Sequence, residues 1–325
     1  MDGSVASLNL NERAWALADL MDEEADALRV RVHHLAGGAR VIDAGIEMPG
    51  GFSAGLMMSE LCLGDLGDVS ITTLNLGGSN WPGLLVRTDF PAIACMASQY
   101  AGWAINPPNF FAMGSGPLRA HARVEKELFA KLGYAEQADR GVLVLEGRTL
   151  PTDEVAEWVG KKANLSPSQL TFVIAPTASL AGLTQISARV VETGLHKIET
   201  LGFDLSKIVS GMGTAPLSPV AKNDGRGIGR TNDCILYGGQ VHYTVNATDD
   251  ELAALAPKLP ANASPDYGRP FYEIFERNGK DFYKIDPLLF SPAEVRLTST
   301  TSGRTFSAGA VNATVLAESL YGNPQ

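Results

Sequence analysis

Residues 29–44 read RVRVHHLAGGARVIDA. Two runs rich in β-branched residues, 29–35 and 40–44, flank Gly37 and Gly38, which can take the positive φ that a tight hairpin requires. A chain that pairs its first two strands antiparallel is not opening a βαβ unit, so a plain doubly wound parallel sheet is not expected. Ahead of this hairpin, Trp15, Leu17, Leu20, Met21, Ala25 and Leu28 recur at roughly helical spacing. That pattern predicts an amphipathic helix over residues 11–28, with Asn11 as its cap.

Further along, apolar runs at 69–76, 141–145 and 170–175 alternate with helical patterns at 118–132, 152–163 and 179–193. Residues 235–245, interrupted by Gly238 and Gly239, and residues 295–306, interrupted by Ser302 and Gly303, read as two more hairpins. The expected class is therefore α/β of the mixed α+β kind, with largely antiparallel or mixed sheets. A single core rarely grows past about 250 to 300 residues, so 325 residues predict two domains. The expected division is a discontinuous domain of 1–90 with 225–325, and a second domain of 91–224. Pro and Gly clusters at 81–83, 106–108 and 213–229 are the candidate crossing points.

Hydrophobic residues make up 45% and charged residues 19%, as in ordinary globular chains, and the net charge of -10 argues against a nucleic-acid partner. The first residues have neither the basic start nor the apolar run of a signal peptide, and no apolar stretch could span a bilayer. A soluble, cytoplasmic protein is expected. Cys62, Cys95 and Cys234 are odd in number and far apart, so buried reduced thiols are expected rather than disulfides or a zinc site.

Several short patterns point elsewhere. Residues 51–55 read GFSAG, the GxSxG of a nucleophile elbow, which would make Ser53 a serine-hydrolase nucleophile. That elbow needs a buried strand running straight into it, and Met48-Pro49-Gly50 stands there instead. Gly211-Met212-Gly213 starts like a dinucleotide loop but continues Thr214-Ala215-Pro216, without the third glycine or the helix start. His33, His34, His121, His196 and His242 are scattered, and the adjacent pair His33 and His34 would face opposite sides of a strand. No metal is expected.

Three stretches carry candidate chemistry. In Met113-Gly114-Ser115-Gly116-Pro117, Pro117 suits the first turn of a following helix, whose free amides with the Ser115 hydroxyl could hold an anion. An ordinary glycine turn reads the same way. From Thr177 to Gly194 a helix would align Gln185, Arg189 and Glu192 on one narrow stripe, with Leu180, Leu183, Val190 and Val191 opposite. Arg189 and Glu192, three apart, could be a surface ion pair. The stretch has no other charge, however, so the pair could equally line a cleft. Residues 216–239 form a polar run containing Lys222, Arg230, Asn232 and Asp233 ahead of an expected strand, suited either to hydrogen-bonding a heterocycle or to a solvated loop.

On these stretches the chain resembles the methenyltetrahydromethanopterin cyclohydrolase family. The matching segments are ASQYAGW (97–103), MGSGP (113–117), ARVVETGLHK (188–197), GRTNDCILYGG (229–239) and DPLLFSPAE (286–294), and the opening LNLNERAW is similar to the bacterial, formaldehyde-oxidising branch. The resemblance implies two α/β domains enclosing a pocket, a homotrimer, no metal or organic cofactor, and a pterin as substrate. It implies Arg189 and Glu192 as the catalytic pair. Expected substrate contacts are Gln99, Tyr100, Gly114, Ser115, Gly116, Gln185, Lys222, Arg230, Asn232 and Asp233. Where archaeal members carry lysine this chain has Tyr100, so a cationic contact there is not carried over.

The implied reaction is the addition of water to a bridge carbon held between two nitrogens in a delocalised cation, opening the ring to the 5-formyl product. Glu192 would take the water's proton and return one to the departing nitrogen, and burial would raise its pKa above about 4.3. The alternatives are a pterin- or anion-binding module without catalysis, and a serine hydrolase using Ser53.

Overall fold

The computed structural model describes residues 8–321. The expectation of no signal peptide rests on residues 1–15, of which the first seven lie outside that range. The strands are β1 (Arg31–His34), β2 (Arg40–Asp43), β3 (Asp68–Leu76), β4 (Ser79–Thr88), β5 (Trp103–Ile105), β6 (Ala112–Ser115), β7 (Gly141–Glu146), β8 (Leu170–Ala175), β9 (Ile208–Pro216), β10 (Gln240–Val245), β11 (Glu294–Ser299) and β12 (Thr305–Gly309). The helices are α1 (Leu10–Glu23), α2 (Ala25–Leu28), α3 (Phe52–Cys62), α4 (Leu118–Ala122), α5 (Lys126–Leu132), α6 (Asp153–Ala163), α7 (Leu180–Ser187), α8 (Val190–Thr200), α9 (Asp224–Gly238), α10 (Asp249–Leu255), α11 (Phe271–Arg277) and α12 (Ala313–Tyr321). None of the described helices is long and apolar enough to cross a membrane.

The chain divides into two compact units, one running up to Gly67 and joined by Ile93–Gln185, the other made of Asp68–Ala92 and everything from Ile186 onward. The expected division differs from this one: residues up to Gly67 join Ile93–Gln185 rather than the C-terminal part, and the chain crosses at 67/68 as well as at 92/93 and 185/186. The cut at 224 does not match, because β9 pairs with both β4 and β10 and so takes residues after 185 into the second unit. None of the three Pro and Gly clusters marks a crossing; residues 81–83, for example, lie inside β4.

In the first unit the sheet order is β1-β2-β8-β7-β6-β5. The β1/β2 pair is the hairpin expected from residues 29–44, with Gly38 at φ 90 in its turn. β2, β8 and β7 run parallel, and β6 and β5 are antiparallel additions. Both faces are covered, which is why β7 and β8 are continuous apolar runs. Val142, Val144 and Val173 face a core with Ala14, Met21, Met58 and Leu61. Leu143, Leu145, Phe172 and Ile174 face another with Leu118, Val155 and Val159. Asn11 is not the cap of α1, a position held by Asn9. Its buried side chain instead donates to the Pro117 carbonyl and accepts from the Val142 amide.

In the second unit the order is β12-β11-β10-β9-β4-β3, all antiparallel except β10/β11. The expected hairpin at 295–306 is present as β11/β12. The other is not, since residues 224–238 form α9, capped by the Asn223 side chain accepting the Arg226 amide. Gly211 and Gly213 belong to no nucleotide loop. They lie in β9, where a Cβ would stand 3.0 Å from Val191 Cγ1 and 3.1 Å from Val190 Cγ1, so bare glycine lets α8 settle on the sheet.

Candidate functional site

The helix expected over 179–193 is two helices. α7 ends at Ser187, Ala188 and Arg189 form a turn, and α8 begins at Val190 with Arg189 (φ -82, ψ 6) as its cap residue. No glycine or proline causes the break. It falls within four residues of the crossing at 185/186. The single stripe of Gln185, Arg189 and Glu192 therefore does not exist, because Gln185 belongs to α7 in the first unit.

The Arg189 and Glu192 pair survives the break, in the second unit. Val190 and Val191 anchor the turn on β9, leaving Arg189 Nη1 3.8 Å from Glu192 Oε2. Arg189 is 9% and Glu192 6% exposed, which excludes the surface ion pair that spacing alone allowed. Glu192 sits in the first turn of α8, where the amide dipoles favour a carboxylate. Thr193 Oγ1 donates to the Arg189 carbonyl at 2.8 Å. Further along α8, Lys197 is buried and donates to the Leu288 carbonyl. Burial lowers its pKa to about 8, with Asp286 opposing the shift.

In the first unit, Ser115 and Gln185 come together around Cys62, one of the thiols expected to be buried. Its Sγ lies 3.4 Å from Ser115 Oγ and 3.9 Å from Gln185 Oε1. Gln99 closes a wide helical segment over Ala92–Gln99, in which the Tyr100 amide bonds the Cys95 carbonyl five residues back. Beneath it the fully buried Arg119 donates to the carbonyls of Met96 and Ser98, and its guanidinium lies 5.2 Å from the Tyr100 ring. Gly114 and Ser115 are in β6. Gly116 turns at φ 100 and gives its amide to the Ser98 carbonyl, so this expected anion donor is engaged inside the fold.

The polar run of the second unit splits. Lys222, Arg230 and Asp233 line a cavity of about 640 Å³ together with Arg226, Tyr272, Glu273 and Glu318. Arg230 also donates to the Val220 carbonyl, and Asn232 bonds back to Ile228 on its own helix. Asp233 is 1% exposed and accepts from the Phe271 amide at 2.7 Å and the Ser319 hydroxyl at 2.6 Å, tying α11 and α12 to α9. It serves the fold.

Burial pushes the Asp233 carboxyl up to about 7, against the hydrogen bonds from Ser319 and Phe271 and with help from Glu318 and Glu273. Between about pH 4 and that value the folded chain holds a proton that the unfolded chain has released, so this group's contribution to stability falls as pH rises. Asp233→Asn removes the slope while keeping an acceptor for Phe271. The variant's denaturation midpoint should gain on that of the wild type between pH 5 and pH 8, and an unchanging difference would contradict the assignment.

Ser53 lies exposed in the first turn of α3, ten residues past the end of β2, so it has no elbow geometry. Among the described residues, His33, Asp43 and Glu47 place potential metal ligands within 4.8 Å of one another. The Asp43 oxygens, however, already accept the amides of Gly45, Ile46, Glu47 and Met48, and Glu47 pairs with Arg31.

Comparison with known proteins agrees with the motifs. Residues 9–320 match the family model described as Cyclohydrolase (MCH). A methenyltetrahydromethanopterin cyclohydrolase of Methylobacillus flagellatus is 46% identical, over 96% of this chain and 95% of its own. Its counterparts from Methylobacterium organophilum and Methanococcoides burtonii are 44% and 42% identical, over 97% and 96% of this chain and 98% of their own. With a match running almost from end to end, the chain belongs to the methenyltetrahydromethanopterin cyclohydrolase family.

Proposed function

We propose that the chain catalyses the reversible hydrolysis of 5,10-methenyltetrahydromethanopterin to the 5-formyl compound. Family membership supports the substrate, and the buried Arg189 and Glu192 pair at the start of α8 is the observation that carries the chemistry. The bridge carbon is electrophilic through its own positive charge, so the protein's task is to supply and deprotonate a water. As the water oxygen attacks, Glu192 accepts one of its protons. When the bond to the departing nitrogen breaks, that proton passes to the nitrogen and the second proton of the former water goes to solvent. One carboxyl group thus serves both steps.

Arg189 orients the carboxylate. A lone guanidinium would repel the cationic substrate, and the carboxylate beside it cancels that field. Of the expected substrate contacts, Lys222 and Arg230 line an open cavity with Arg226, whose lining does not include Arg189 or Glu192. Gln99, Tyr100, Gly114, Ser115, Gly116 and Gln185 are proposed to shape the pterin's surroundings through the cluster around Cys62. We also propose that the enzyme is a cytoplasmic homotrimer working in formaldehyde oxidation without a metal or organic cofactor.

The test is direct, because opening the methenyl ring removes the ultraviolet absorption of the cation. Purified protein should accelerate that loss in proportion to its concentration. Binding without acceleration would instead identify a non-catalytic pterin module.

A further inference from the structure

We infer that Tyr243 is a positioning residue for the reaction, holding through its hydroxyl the peptide that carries Glu192. The inference rests on the reading of Glu192 as the proton acceptor. Tyr243 lies in β10 with no exposed surface, and its hydroxyl donates to the Val191 carbonyl at 2.6 Å. That carbonyl belongs to the peptide bond joining Val191 to Glu192, so the atom held is one peptide plane from the Glu192 Cα. Within an α-helix the same carbonyl is the acceptor for the amide four residues on. The phenol takes its second lone pair, fixing both the height of the first turn above the sheet and its rotation.

Residues on both elements make room for this contact. A Cβ on Gly194, one half-turn past Glu192, would stand 2.2 Å from the Tyr243 oxygen and 3.1 Å from its Cζ. Glycine is therefore required on α8 for the hydroxyl to reach Val191. On the sheet side, a Cβ on Gly211 would stand 3.1 Å from the Tyr243 ring at Cδ1 and 3.0 Å from Val191 Cγ1. Ring, hydroxyl and helix turn form one close-packed contact. Two residues earlier, the Arg189 carbonyl is held by Thr193. The backbone at each end of the catalytic pair thus has its own hydroxyl donor.

The experiment compares Tyr243→Phe in two backgrounds, wild type and Glu192→Gln. Phenylalanine keeps the ring packing and removes only the donor. In the wild-type background kcat should fall about tenfold, the equivalent of one well-placed hydrogen bond, with KM within about twofold. In the Glu192→Gln background the same change should leave the residual rate almost untouched, because the group being positioned is already disabled. An unchanged kcat in the first background, or the same fold loss in both, overturns the inference; the latter would mark Tyr243 as merely structural.

A second comparison uses the Gly194 contact. Gly194→Ala should lose activity, and adding Tyr243→Phe should recover part of it by removing the 2.2 Å contact. Further loss in the double variant would argue against the geometry. If the wild-type enzyme itself fails to open the methenyl ring, the proposed function fails, and that result is distinct from any outcome above.

Discussion

Glu192→Gln should fold normally and lose about three orders of magnitude in turnover, within the range usual for removal of a general acid–base group. Glutamine matches glutamate in shape, and at a position 6% exposed it keeps the packing of the first turn of α8 against β9. The ion pair it breaks is loose, at 3.8 Å, so little stability is at stake. What disappears is the only basic atom of the pair, since the guanidinium of Arg189 cannot accept a proton. The amide still accepts a hydrogen bond from water, so KM should change by less than kcat. Measuring both from the decay of the methenyl absorption, with the thermal midpoint as a control, checks the prediction. A folded Glu192→Gln enzyme working at near wild-type rate would remove Glu192 from the mechanism. Arg189→Ala should also lose turnover, and for a different reason, because the carboxylate stays buried but is no longer oriented.

The parts of this protein that were legible in its sequence are those where local pattern and tertiary environment agree. β7 and β8 are buried on both faces and read as unbroken apolar runs. The first hairpin is marked by its own glycines. α9 failed the same reading because Gly225, Gly227 and Gly229 lower helix propensity, and Ile235 to Tyr237 followed by two glycines imitate a strand and its turn. The Asn223 cap and the burial of Cys234, Leu236 and Tyr237 against α11 and α12 decide for helix.

The pair proposed to be catalytic is a harder case. Arg189 and Glu192 are three apart whether the segment is one helix or two, so spacing alone left both surface and interior open, and only family resemblance and the burial of the two side chains separate them. The first-unit cluster was out of reach for another reason. Its members Cys62, Ser115 and Gln185 are tens of residues apart, and no local pattern brings them together. Tyr243 left no signal at all, since an alternating strand residue looks the same with or without a partner for its hydroxyl.

Arg119→Met should destabilise the protein more than any other single change considered, by about 4 kcal/mol, the range for a buried ion pair that loses one partner. The side chain is completely buried in α4, and methionine of similar length can occupy its volume, so the cost is chiefly polar. Nε and Nη2 lie 2.7 and 2.6 Å from Glu125 Oε1, and Nη1 holds the carbonyls of Met96 and Ser98 at 3.1 and 3.0 Å. Methionine leaves that carboxylate without its cation and both carbonyls without this donor. Adding Glu125→Leu should return much of the loss, because removing both charges leaves only the two carbonyls short of this donor, and that of Ser98 keeps the Gly116 amide. Denaturant unfolding of the single and double variants measures both terms. The carbonyls lie in the wide helical segment that ends at Gln99, so the single variant should also weaken substrate binding at temperatures where it stays folded. A loss below about 1 kcal/mol would mean that Glu125 swings out to solvent when its partner is removed, and that the segment before Tyr100 is held by its backbone pattern rather than by Arg119.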